Sequence, residues 1–76
     1  MEVEAAKLLA AGFAAGFGVL GSAVGEGYLA AKAMEAMGRN PEAGGTIFTR
    51  MIVAMAITES SAIYAVVVAL VLLFVV

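Results

Sequence analysis

From Met51 to Val76 the chain runs MIVAMAITESSAIYAVVVALVLLFVV, twenty-six residues in which Glu59 is the only charged group. A hydrocarbon core about 30 Å thick needs about 20 helical residues to cross it. As a helix this stretch reaches roughly 39 Å, which is enough. Its β-branched tail, VVVALVLLFVV, suits a buried strand by propensity alone. Length and the lack of any turn signal decide for a helix, because backbone groups in lipid must be satisfied within their own segment.

A second apolar stretch, LLAAGFAAGFGVLGSAVG from Leu8 to Gly25, holds eighteen residues without a charge. Glu2 and Glu4 stand where a secretory leader carries basic residues, so this stretch is expected to remain as a membrane span. The whole composition agrees. At 64% hydrophobic and a mean hydropathy of +1.11, 76 residues cannot supply the polar surface a small soluble domain requires. The absence of cysteine and histidine removes a disulfide framework, thiolate metal sites and the usual general base. A net charge of −2 gives no footprint for nucleic acid.

Between the two stretches lies GRNPEAGGT, Gly38 to Thr46. Gly38 suits a helix C-cap, Pro41 bars continuation, and Gly44-Gly45 permit a reversal. The expected architecture is an all-α membrane hairpin: a first transmembrane helix over about 4–37, a polar loop over 38–46 and a second transmembrane helix over 47–76. Lys32, Arg39 and Arg50 flank or lie in the loop, whereas the N-terminus has only Lys7 beside two glutamates. The positive-inside rule places the loop in the cytoplasm and both termini outside.

The first helix also carries an isolated carboxylate, Glu26, in SAVGEGYLAAK. Glu26 and Glu59 stand equally far from the turn, so a regular hairpin brings them to one depth. A charge at the bilayer centre costs at least about 2.5–3.5 kcal/mol. Two ionised carboxylates side by side also repel, which drives one to protonate. One ionised group, one protonated group and one bound cation make a neutral site. An interfacial, solvated role fits Glu26 nearly as well, since Lys32 is six residues away. It fits Glu59 poorly: nine residues, about 13 Å of helix, separate it from Arg50.

Small residues recur at a spacing of four on the first helix: Gly12 and Gly16, Ala14 and Gly18, Gly21 and Gly25, Ala23 and Gly27. Such stripes let helices approach closely. A two-helix dimer needs one seam. These cover more than one face, which suits a closed homo-oligomeric ring.

Together the Gly/Ala-rich first helix, the loop with RNPEA, the second helix with AITESSAIY and the apolar tail resemble the rotor-ring proteolipid, the c-subunit, of F-type ATP synthases. The likeness covers essentially the whole chain. It implies a non-catalytic, ion-translocating hairpin with first helices inside the ring and second helices outside. The implied partners are identical subunits, the a-subunit of the stator, the central-stalk subunits gamma and epsilon, and membrane lipid. The implied location is a bacterial inner membrane. Arg39, Asn40 and Pro41 match the loop that touches the stalk, and Glu59 falls on the ion-carrying carboxylate.

By resemblance to sodium-type rings, Glu26 stands where a glutamine usually coordinates. Ser60 matches a hydroxyl ligand, and the carbonyl of Ile57 a backbone ligand. Ser61 matches the residue that holds an ordered water, and Tyr64 the tyrosine that locks the carboxylate. A hard cation needs several oxygens, and their number here favours Na+ over H+ as the transported ion. A second carboxyl in place of the amide also suits proton binding, so H+ stands as the alternative. No cofactor is implied. A small pore-forming, holin-like hairpin accounts for two helices and glycine stripes but not for paired carboxylates with hydroxyls beside them. A V-type proteolipid usually carries a duplicated hairpin.

Overall fold

The computed structural model describes residues 2–76. Helix α1 runs Val3–Arg39, a short 3-10 turn covers Pro41–Ala43, and helix α2 runs Gly44–Phe74. The two helices pack antiparallel as a hairpin whose extents are 58 × 18 × 8 Å. Both are long and apolar enough to cross a membrane, and only 11% of each span is buried within the hairpin. A chain so apolar with so little of itself covered needs lipid or copies of itself against its sides. α1 is rich in glycine, which is a poor helix former in water. In lipid an unpaired backbone group costs more than that propensity, so the helix continues through them.

The turn differs from expectation. Gly38 does not end α1, which continues through Arg39 with Asn40 as its C-cap. Gly44 and Gly45 do not make the reversal but open α2, and no glycine among the described residues has positive φ. The reversal falls to Asn40–Ala43. Asn40 leaves the helical conformation (φ −139°, ψ 76°) because a residue before proline is held out of the α region. Pro41 then starts the 3-10 turn, where its missing N–H leaves nothing unpaired. The Asn40 N–H donates to Ala36 O at 3.0 Å, and the Ala43 N–H donates to Asn40 O at 3.1 Å. The helices therefore approach the turn more closely than a loop over 38–46 allows.

The seam between the helices is built mostly from small residues. Ala11, Ser22 and Ala33 are buried on α1, and Met51, Ala62 and Ala69 on α2. Gly18 packs directly on Ala65, and Gly25 faces the methyl of Thr58. On α2 the positions 51, 58, 62, 65 and 69 step by three, four or seven, as on α1 do 11, 18, 22 and 25. This is the spacing of a coiled-coil seam. The glycines thus divide by face. Gly18 and Gly25 serve the hairpin's own seam, whereas side-chain space at Gly12, Gly16, Gly21 and Gly27 is open.

Candidate functional site

Glu59 is the central residue of α2, with fifteen residues of helix on either side. Thr58, one residue earlier, faces α1, so Glu59 projects about a quarter turn from the seam at 100° per residue. Glu26 lies four residues beyond the buried Ser22 and so leans to the same edge of the hairpin. The two carboxyls lie beside each other there, with the Ser22 side chain close to Glu26.

The contact cannot be a hydrogen bond while both groups are ionised, since carboxylates only accept. Nor can Ser22 serve Glu26 fully, because its hydroxyl donates to the carbonyl of Thr58 at 3.1 Å. The atom Glu26 Oε1 is enclosed and without a hydrogen-bond partner among the described residues. An enclosed carboxylate oxygen beside a second carboxyl has two remedies: a proton on one of them, or a cation between them. No third His, Cys, Asp or Glu joins the pair among the described residues. Further ligands for a cation must be hydroxyl or carbonyl oxygens.

Those oxygens lie elsewhere on the hairpin. Positions 57, 60 and 64 form one stripe at helical spacing, centred about 130° around α2 from Glu59 and turned away from α1. Within it the Ser60 hydroxyl donates to the Ile57 carbonyl at 2.5 Å, so two candidate ligand oxygens already sit together. Tyr64, 70% exposed, stands off the same side. Ser61 is exposed and two helical steps from Glu59. One hairpin therefore brings together Glu26 and Glu59 and separates them from Ile57, Ser60, Ser61 and Tyr64. Beside Glu59 is an open apolar groove of about 250 Å³ lined by Val19, Glu59, Ala62, Ile63, Val66 and Val67.

The loop residues Arg39, Asn40 and Pro41 are exposed at the hairpin's tip. Glu35 is shared by Arg39 and by Lys32, the latter at 3.8 Å. Lys32 also lies 5.6 Å from the centre of the Tyr28 ring, an aromatic–cation pair of the kind found at membrane–water interfaces. Sequence reasoning missed Ser22 and Thr58. The available signal was their position, Ser22 one turn before Glu26 and Thr58 next to Glu59.

Residues 9–72 match the family model for the C subunit of ATP synthase. The chain is 58% identical over 69 residues to an ATP synthase c-subunit of Petrotoga mobilis, covering 91% of this chain and 72% of that one. It is 53% identical over 75 residues to one of Dehalococcoides mccartyi, covering 99% of each. A third, from Thermotoga maritima, is 47% identical over 70 residues, covering 92% and 82%. With a match across most of its length and a carboxylate at the centre of the second of two apolar helices, this chain belongs to the ATP synthase c-subunit family.

Proposed function

We propose that the hairpin is the ion-carrying rotor component of an ATP synthase, taking up and releasing Na+ at Glu59 as a ring of identical copies turns. The observation that carries this reading is the meeting of the Glu26 and Glu59 carboxyls at mid-helix, with one enclosed oxygen lacking a partner. An intramembrane carboxylate is expensive unless it exchanges something.

Placing Ile57 and Ser60 on a different side from the carboxyls fits a head-to-tail ring. There the Glu26–Glu59 edge of one copy meets the Ile57–Ser60–Tyr64 side of the next, and such heterologous contacts close into rings. The cation would be held by Glu26, Glu59, Ser60 and the Ile57 carbonyl, with Ser61 contributing through water and Tyr64 holding Glu59. A filled site is neutral and can face lipid; an emptied one must meet the positive charge of a stator. In that scheme the stator's a-subunit loads and unloads the ion. The exposed Arg39, Asn40 and Pro41 contact the gamma and epsilon subunits, the loop lies in the cytoplasm, and the membrane is the bacterial inner membrane. Each ion moving through 100 mV supplies about 2.3 kcal/mol, so many ions must pass per turn. The hairpin itself catalyses no reaction.

A carbodiimide, which attacks protonated carboxyls in apolar surroundings, tests the ion. Sodium is expected to slow labelling of Glu59, and to do so more strongly as pH rises and protons compete less for the same oxygens. Glu26→Gln keeps this protection, since an amide oxygen still coordinates. Glu26→Ala and Ser60→Ala each weaken it by removing a ligand. Labelling indifferent to sodium from acid to alkaline pH overturns the sodium assignment and gives the same carboxyls to protons.

A further inference from the structure

Ser22 is the only buried polar residue among the described residues, at 6% exposed. Its hydrogen bond to the Thr58 carbonyl is the only one from a side chain on one helix to the backbone of the other among them, and the Glu26–Glu59 contact beside it joins side chains alone. Thr58 takes part with its carbonyl and its methyl alone, because its own hydroxyl donates back to Ala54 O at 2.9 Å. The methyl lies 3.6 Å from the position a Cβ on Gly25 would occupy, an ordinary packing distance.

The placement matters because, Met51 near the turn apart, the rest of the seam is Gly and Ala. Such surfaces pack closely, but they resist axial sliding weakly, and in lipid no hydrophobic force adds to them. A slide of one residue moves one helix by about 1.5 Å relative to the other. That is large against the few tenths of an ångström over which oxygen ligands hold a hard cation. The directional bond sits one residue from Glu59 and one turn from Glu26.

We propose that Ser22 is a positioning residue: its bond to Thr58 sets the axial register of α1 on α2, and with it the Glu26–Glu59 spacing on which ion affinity depends. This rests on the ion-carrying reading of Glu59 given above.

The test uses full-length chains assembled as rings in membranes. It reads the half-saturating concentration of the coupling ion for carbodiimide labelling of Glu59: sodium if sodium protects, the proton otherwise. Ser22→Ala is expected to raise that concentration about threefold, and by no more than about twentyfold, the span an interhelical hydrogen bond commands in lipid. Ser22→Cys, near in shape with a weaker donor, falls between. Thr58→Val keeps the carbonyl and a branched methyl, loses only the bond to Ala54, and leaves the concentration unchanged.

A merely structural role for Ser22 lowers the melting temperature of the ring without moving the half-point. An unmoved half-point in Ser22→Ala, or an equal shift in Thr58→Val, overturns the proposal. Should Ser22→Ala give no rings, Ser22→Cys is judged by the same limits. Glu59→Gln separates the two levels. If that variant still couples, the ion reading itself falls; if it does not and the Ser22 half-point stays fixed, only the positioning role falls.

Discussion

Rings built from Glu59→Gln chains are expected to assemble at normal yield and to support no ion-driven ATP synthesis above background. The carboxamide keeps the shape of the side chain and removes a group that costs at least about 2.5–3.5 kcal/mol to place at the bilayer centre. Insertion and packing therefore lose nothing. Glu59 makes no contact in the buried seam, being exposed on one edge of α2 beside an open apolar groove. What disappears is exchange: an amide neither gives up a proton nor offers a negative charge to a cation. The measurement is ATP synthesis by membrane vesicles under an imposed ion gradient, with ring assembly followed on a denaturing gel. Glu59→Asp, which retains an exchangeable carboxyl on a shorter stem, keeps part of the activity, and Glu26→Gln keeps more. ATP synthesis persisting in Glu59→Gln at the wild-type rate places transport elsewhere and removes the basis for assigning Glu59 its role.

Both the hairpin and its carboxylate pair were legible because they depend on length and on distance from a turn, and both quantities are written along the chain. Two apolar stretches of spanning length, a proline-containing turn between them, and glutamates equally far from that turn lead to one arrangement. The turn departs from the sequence expectation at Gly38, Gly44 and Gly45, which are helical or open a helix. Glycine punctuates helices in water, but it continues them wherever the i−4 hydrogen bonds are worth keeping, and Pro41 alone suffices to break this one. The glycine faces were also out of reach. Small residues recur at fours around much of α1, so spacing alone cannot tell a position inside the hairpin, such as Gly18, from one open at its side, such as Gly21. Ser22 was hidden for a similar reason. A serine that bonds back along its own helix and one that bonds across to another look the same in one dimension. The separation of Ile57 and Ser60 from Glu59 needs only helical geometry to see, but its meaning needs a second copy of the chain.

The close contact of Gly18 with Ala65 yields the second large effect. A Cβ added at Gly18 would overlap the Ala65 Cβ, which is fixed to the backbone and has no rotamer to escape into. Gly18→Ala must therefore push the helices apart near the middle of the seam. Overpacking of this kind costs about 1–3 kcal/mol, more than the helix propensity gained by replacing glycine with alanine, about 1 kcal/mol. The seam on either side consists of small buried residues that follow the separation, including Ser22 and Ala62. Ring yield and thermal stability in detergent are expected to fall sharply. Ala65→Gly alone loses only the propensity term and one methyl's packing. The double variant Gly18→Ala/Ala65→Gly moves the methyl from one helix to the other and recovers most of the stability, with a coupling of about 0.5–3 kcal/mol between the sites. Gly21→Ala is the control, since an added Cβ there meets nothing in the hairpin, so any loss it causes reports on contacts between hairpins. If Gly18→Ala is as stable as the parent, or if the double variant is worse than the sum of the single ones, the seam is not closed at this point.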